Sequence, residues 1–201
     1  MASLSLPVAS SRHRSRPASS ARLLNAMFEQ LPPDAKTPFV VTRTPGISQW
    51  GTVGTGPIES LHADHGLLYV VSGGGFYSVT SAAAATFRGA VGSSTEIDMA
   101  SDTSNVVIVS PPLAWYWDGT STFAQITDSD FTSRGAGNVR YQGLRFLFRE
   151  PDTGRFFGSD LSSVTAYDAL NFATAESSSD ELVGLEIDHE EVFLPGARTC
   201  E

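Results

Sequence analysis

The sequence predicts an all-β fold, a partial β-propeller-like array of hairpin blades preceded by a disordered N-terminal segment. Three observations carry this expectation. First, four stretches share one plan, a polar corner followed by a hydrophobic strand: His65-Gly66 before Leu67 to Val71, Ser104-Asn105 before Val106 to Val109, Gln142-Gly143 before Leu144 to Phe148, and His189-Glu190 before Val192 to Leu194. Second, the corners recur at steps of 39, 38 and 47 residues, the period of a blade in a radially repeated β fold. Third, in the first three units a turn and a second strand follow the first, so each reads as a β-hairpin. A lone hairpin has too little face to bury, and neighbouring units must stack.

The elements follow in chain order. Residues 1–22 hold Arg12, Arg14, Arg16 and Arg22 among Ser and Ala with no acidic residue, a composition expected to be disordered. Leu4, Leu6 and Val8 precede the arginines, the wrong order for a secretory signal. A targeting segment or a basic arm are the other readings of this stretch. Residues 23–58 form a lead-in: a short helix over Leu23 to Gln30 ended by Pro32-Pro33, then an extended strand through Thr37-Pro38-Phe39-Val40-Val41 and a turn at Thr44-Pro45-Gly46. This lead-in is expected to dock on the blades or lend one of them a strand. Residues 59–201 form the incomplete propeller-like domain. Its hairpins turn at Ser72 to Gly75, at Pro111-Pro112 and at Glu150 to Gly154, and the second unit closes at Asp118-Gly119. The fourth unit stops just after its corner and leaves an open end with exposed strand edges.

Composition agrees with this plan. Charged residues make up 17% and aromatics 10%, with 18 glycines and 11 prolines, as in a loop-rich β protein. The apolar runs are strand-length, so no membrane-spanning helix is expected. The single Cys200 cannot close an internal disulfide, which points to a cytosolic folding compartment. Acidic residues number 22 against 13 basic ones, and the last 26 residues alone hold eight acidic side chains against Arg198. Such a field does not grip a phosphate backbone, although a negative channel wall would let a duplex slide past without sticking.

Local patterns that resemble chemistry resolve into structure. Asp152-Thr153-Gly154 matches an aspartic-protease triplet but sits in a hairpin turn and has no second copy to form a dyad. Asp128 and Asp130 could start a calcium loop, yet the glycine and distal glutamate are absent. Gly73-Gly74-Gly75 lacks the Lys-Ser or Lys-Thr of a phosphate cradle. His62, Asp64 and His65 could meet a metal, but corner hydrogen bonding is the better reading, and His189 recurs at the position of His65. His13 lies in the basic start. Trp115 and Trp117 fall on one strand face and Tyr116 on the other, which favours burial between blades over a stacking platform. Phe146, Phe148, Phe156 and Phe157 read as inter-blade core. The expectation is therefore no catalytic, cofactor-binding or metal-binding residue.

One resemblance remains. Leu31 to Thr37, Thr44-Pro45-Gly46, Leu68 to Gly75, Tyr116 to Gly119, Ile126 to Phe131, Thr153 to Phe157, Ser159-Asp160-Leu161, Asp168 to Glu176, Leu182 to Leu185, Asp188-His189 and Gly196 to Thr199 together resemble the N-terminal part of the packaged DNA stabilization proteins of short-tailed phages, the tail accessory factors that form the tail hub. Asp168 to Glu176 is its most specific piece, because a propeller strand does not demand that order. The resemblance implies a non-enzymatic virion component of the tail, present in the host cytoplasm during assembly. Copies would form a ring beneath the portal, help close its channel and carry tail fibres or spikes. The implied partners are copies of itself, portal-adaptor proteins, and fibre or spike proteins, with packaged DNA only by proximity. The residues expected to matter are structural: Gly73 to Gly75, Asp118-Gly119 and Asp152 to Gly154 for turns, with Trp115 and Phe156 for blade packing. A carbohydrate-binding or glycosidase-like propeller fragment, built around Asp128, Asp130 and Trp117, is the rival reading. A non-functional prophage remnant is another.

Overall fold

The computed structural model describes residues 26–200 apart from 33, 38, 44, 45, 95 and 176–179. The basic start at 1–22, with His13, and Thr44-Pro45 of the expected turn lie outside the described residues. The chain divides into two units, 1–49 and 50–201.

In the first unit, β1 (Ala26–Gln30) and β2 (Phe39–Arg43) form an antiparallel two-stranded sheet with Ala26 opposite Arg43 and Gln30 opposite Phe39. The strand at Phe39 to Val41 is as expected. The helix over Leu23 to Gln30 is not: residues 26–30 are extended. Met27, Phe28, Glu29 and Gln30 all tolerate a helix, but a five-residue stretch gains little from propensity, and cross-strand pairing outweighs it.

The second unit is the propeller array. Blade 1 comprises β3 (Ile58–Asp64), β4 (Leu67–Ser72), β5 (Gly75–Val79) and β6 (Ala85–Ala90) in that spatial order. Blade 2 comprises β7 (Asp98–Ser101), β8 (Val106–Ser110), β9 (Leu113–Trp117) and β10 (Phe123–Gln125). Blade 3 comprises β11 (Val139–Gln142), β12 (Arg145–Arg149), β13 (Arg155–Ser159) and β14 (Tyr167–Thr174). A fourth sheet holds two strands, β15 (Glu186–Asp188) and β16 (Glu191–Phe193). All neighbours are antiparallel. The first three units are therefore complete four-stranded blades and not the partial hairpins that the sequence suggested. Each polar corner joins a blade's first strand to its second, and the first strands β3, β7, β11 and β15 lie next to one another in succession.

Turn chemistry fixes each hairpin. Gly73 and Gly74 take φ of 55° and 74°. A Cβ on Gly74 would lie 2.8 Å from the Gly92 carbonyl carbon, so only glycine fits that turn. Pro111-Pro112, joined by a cis peptide bond, turns β8 into β9. The Asp118 carboxylate accepts from the backbone N–H groups of Thr120, Ser121 and Thr122 at 2.8, 2.8 and 2.9 Å, an Asx turn that leads into β10 and holds its carboxyl well below the usual carboxylate range. In blade 2 the corner is capped by Asp102, which accepts from Ser104 and Asn105 backbone N–H at 2.7 and 2.6 Å. In blade 3 the corner residues are Gly143 and Leu144, one position later than expected.

The core lies between blades. Strand alternation sends Tyr69, Val71 and Phe76 of blade 1 against Val106, Ile108, Trp115 and Trp117 of blade 2. The opposite face of blade 2, with Val107, Val109, Ala114 and Tyr116, meets Phe146, Phe148, Phe157 and Tyr167 of blade 3. Leu147 and Phe156 then pack on Leu182, Leu185, Val192 and Leu194. Trp115 and Phe156 thus sit in inter-blade packing as expected.

Candidate functional site

The polar chemistry concentrates on the adjacent first strands of the blades. Ser101 on β7 donates its hydroxyl to the Asp64 carboxylate at the end of β3, and its oxygen lies 2.8 Å from His62 Nε2. With the Ser101 proton committed to Asp64, His62 donates through Nε2–H. Burial pushes the His62 pKa below its ordinary value, while the Ser101 hydrogen bond lowers that of Asp64. This relay ties blade 1 to blade 2.

Arg140 on β11 ties the next three together. Its Nη1 lies 2.6 Å from Asp98 Oδ2 on β7, and its Nε donates at 2.9 Å to Glu186 Oε2 on β15, with Nη2 reaching Glu186 Oε1. Asp98 Oδ2 also accepts from the Val139 backbone N–H at 3.1 Å. The Glu186 hydrogen bonds raise the Arg140 pKa and hold the Glu186 carboxyl below the usual range. Gln142, at the end of β11, donates to the Glu190 carbonyl. The arrangement is a row of cross-blade clamps whose chemistry is structural. Neither Arg140, Asp98 nor Glu186 carries a spacing signal in the sequence, since the partners stand 42 and 46 residues apart.

The other candidates fall in place around this row. Asp128 is the N-cap of α1 (Ser129–Thr132), accepting from Asp130 and Phe131 backbone N–H at 2.8 and 3.3 Å. That helical turn, which the sequence did not signal, drives Phe131 into a cluster with Phe148, Phe157 and Tyr167 at centroid distances of 5.2, 5.7 and 4.9 Å. Trp117 is buried at 3% exposure. The proposed carbohydrate nucleus is thereby taken apart: Asp128 caps a helix and Trp117 faces blade 1. Asp152 to Gly154 form the β12–β13 turn, with Thr153 Oγ1 donating to the Glu150 carbonyl at 3.2 Å and Arg155 paired to Glu150 at 2.6 Å. His65 contacts Asp64 through its backbone N–H at 2.7 Å. Among the described residues, no group of three or more His, Cys, Asp or Glu is placed to hold a metal ion. Cys200 is exposed and free.

Asp168 to Glu176 begins in β14, whose register with β13 breaks between Phe157 and Ser159, so that Asp168 to Asn171 bulge from the blade edge. The bulge is fixed by Arg134, which donates to the Ala169 carbonyl, and by Asp168, which accepts from the Leu170 N–H at 2.8 Å. Leu170 stands 82% exposed at its tip. Beside it, Leu147, Phe156, Gly158, Ala173 and Arg145 line an open groove of about 280 Å³.

These blades, corners and turns match a known protein family along nearly the whole chain. Residues 19–201 match the phage stabilisation family described as "Bacteriophage P22 Gp10, beta-propeller". The chain belongs to the P22 Gp10 β-propeller family. Membership makes it a phage structural protein of DNA-stabilising kind and associates it with the virion. No curated protein matches the chain. Among solved structures, the family member is similar to the computationally designed Ika4 protein (TM-score 0.56, 11% identity), covering 78% of this chain and 97% of that one. It is also similar to YCF48, solved bound to D1 peptide (TM-score 0.53, 16% identity), and to BamB from Moraxella catarrhalis (TM-score 0.50, 13% identity). It spans 52% of the YCF48 chain and 42% of the BamB chain. At these identities the likeness concerns the fold alone. Among the described residues, no helix is long and apolar enough to cross a membrane.

Proposed function

We propose that this chain is a non-enzymatic component of a phage tail hub, a ring of copies that helps close the portal channel after packaging and so stabilises the packaged DNA. The observation that carries the reading is the family match over residues 19–201. The physical design supports it. A plug under outward load must resist shear between its parts, and here each blade is joined to the next by an apolar interface and by a charged or hydrogen-bonded clamp. The partners in this reading are copies of the chain, a portal-adaptor ring and tail fibre or spike proteins, with DNA held back by closure and not by contact. The acidic excess, 22 against 13 residues, fits a surface that DNA does not grip.

The test is DNA retention. DNA-filled heads assembled without the chain are expected to lose their DNA, measured as nuclease-sensitive release, and added purified chain is expected to restore retention. Heads that hold DNA equally well with and without it would overturn the proposal.

A further inference from the structure

The β11–β12 corner is a two-residue turn, Gly143-Leu144, with both residues in the left-handed region at φ of 58° and 64°. Glycine and asparagine enter that region readily, whereas a leucine is strained there. The blade 1 corner has Gly66 at the same position, at φ 72°. Burial of the side chain would compensate for the strain, yet Leu144 is 57% exposed. Nothing in the packing of the blade calls for a leucine at this turn, and unrewarded strain of this kind points to function.

Leu144 does not stand alone. Its carbonyl accepts from the Ser162 N–H at 2.7 Å, which brings the β13–β14 loop against the corner, and Leu161 in that loop is 60% exposed. Asp160 of the same loop accepts from Asn171 Nδ2 at 3.1 Å, which ties in the β14 bulge with Leu170, 82% exposed. Three leucines from three connections therefore gather at one end of blade 3. The β11–β12 and β13–β14 connections lie at a blade's end, and blades stack through their faces, so this patch is no part of a seam between blades.

The border of the patch is acidic. Asp168, which holds the Leu170 N–H, and Glu190, whose carbonyl accepts from Gln142 beside the corner, are both exposed, as is Asp188. The cations of this region are committed elsewhere: Arg145 donates to the Ser159 carbonyl at 2.6 Å, Arg134 donates to the Ala169 carbonyl, and His189 pairs with Asp188. We infer that this three-leucine end of blade 3 is the docking surface for a protein partner presenting an apolar pocket edged by Lys or Arg. Exposed apolar patches with a polar rim mark protein contacts. The acidic border repels nucleic-acid phosphates and steers a basic rim into register. The inference rests on the hub reading in placing the partner within the phage particle, and it deepens that reading by naming the surface and its chemistry.

The test is cosedimentation of the labelled full chain with DNA-filled heads assembled without it, reading the amount of chain bound. Leu170→Ser and Leu161→Ser are each expected to bind about tenfold or more weakly, with unchanged circular dichroism. Leu113→Ser, at an exposed position beside the Pro111-Pro112 turn at the other end of the blades, is expected to bind as the wild type does. Asp168→Asn keeps an acceptor for the Leu170 N–H and is expected to bind about two- to fivefold more weakly, with a shallower dependence on salt. Leu144→Asn is expected to raise Tm by relieving the strained turn while it weakens binding, a pair of opposite effects that a merely structural leucine would not give. Equal binding by the wild type and the leucine variants would overturn the inference and leave the hub reading standing, whereas a wild type that binds no heads would overturn both. Light scattering of the chain alone is the second measurement: self-association that Leu170→Ser abolishes would make a second copy the occupant and would also overturn the inference.

Discussion

Replacing Arg140 by methionine keeps the aliphatic stem and removes the charge that joins three inner strands. The loss has two unequal parts. Glu186 is 60% exposed on its side chain, so its ion pair is largely screened and contributes a few tenths of a kcal/mol at most. Asp98 is 26% exposed, and its 2.6 Å contact is charge-assisted. Without Arg140 the Asp98 carboxylate keeps only two backbone donors, Met99 N–H at 2.9 Å and Val139 N–H at 3.1 Å. A charged hydrogen bond of this kind, discounted for its exposure, gives a net cost of about 1–2 kcal/mol. For a chain of this size that lowers Tm by about 3–6 °C. Thermal denaturation followed by circular dichroism measures it, and a double-mutant cycle with Asp98→Asn isolates the pair. Arg140→Met with unchanged Tm, or a loss that is equal in the Asp98→Asn background, would refute the clamp.

Phe131→Ala empties the centre of four packed rings and is expected to cost about 3–5 kcal/mol in urea denaturation, because Phe131 is 1% exposed and its neighbours come from three strands. Gly89→Ala places a Cβ 2.1 Å from the Phe123 ring, which is itself stacked on Phe76 at 5.7 Å; the expected cost of about 1–3 kcal/mol should shrink in a Phe123→Ala background. Burial holds the folded pKa of His62 below 6.5, so as pH falls the unfolded chain takes up the proton first; stability is complete above 6.5 and declines below it, and His62→Gln should flatten that limb in stability measured against pH. Glu186 adds a second loss at lower pH: its folded pKa lies below the ordinary 4.5, so its contribution is present above that value and fades as pH falls through the folded one, and Glu186→Gln should remove it.

The hairpins were legible because their signals are local. Turn residues such as Gly73-Gly74, Pro111-Pro112 and Asp118-Gly119 sit beside continuous apolar runs, and both the turns and the facing of Trp115 and Trp117 against Tyr116 follow from a period of two. The outer strands were not legible. Ala85 to Ala90 in β6 is mostly exposed, so it lacks the alternation that marks a half-buried strand. β10 and β15 are three residues long, too short for any pattern. Phe131 was hidden for a related reason, since a four-residue helix completes barely one turn. The inner-strand clamps were invisible because their members come together only when blades stack. At β1, Met27 to Gln30 favoured a helix locally, and the strand arises from a partner nine or more residues away.

The central claim is that the chain works by assembling and not by catalysis. Light scattering of the purified chain mixed with a matching portal-adaptor ring tests it most directly. The account predicts a discrete complex with several copies of the chain bound to each ring at fixed stoichiometry. A chain that is folded by circular dichroism yet leaves the mass of the ring unchanged at saturating concentration would contradict it.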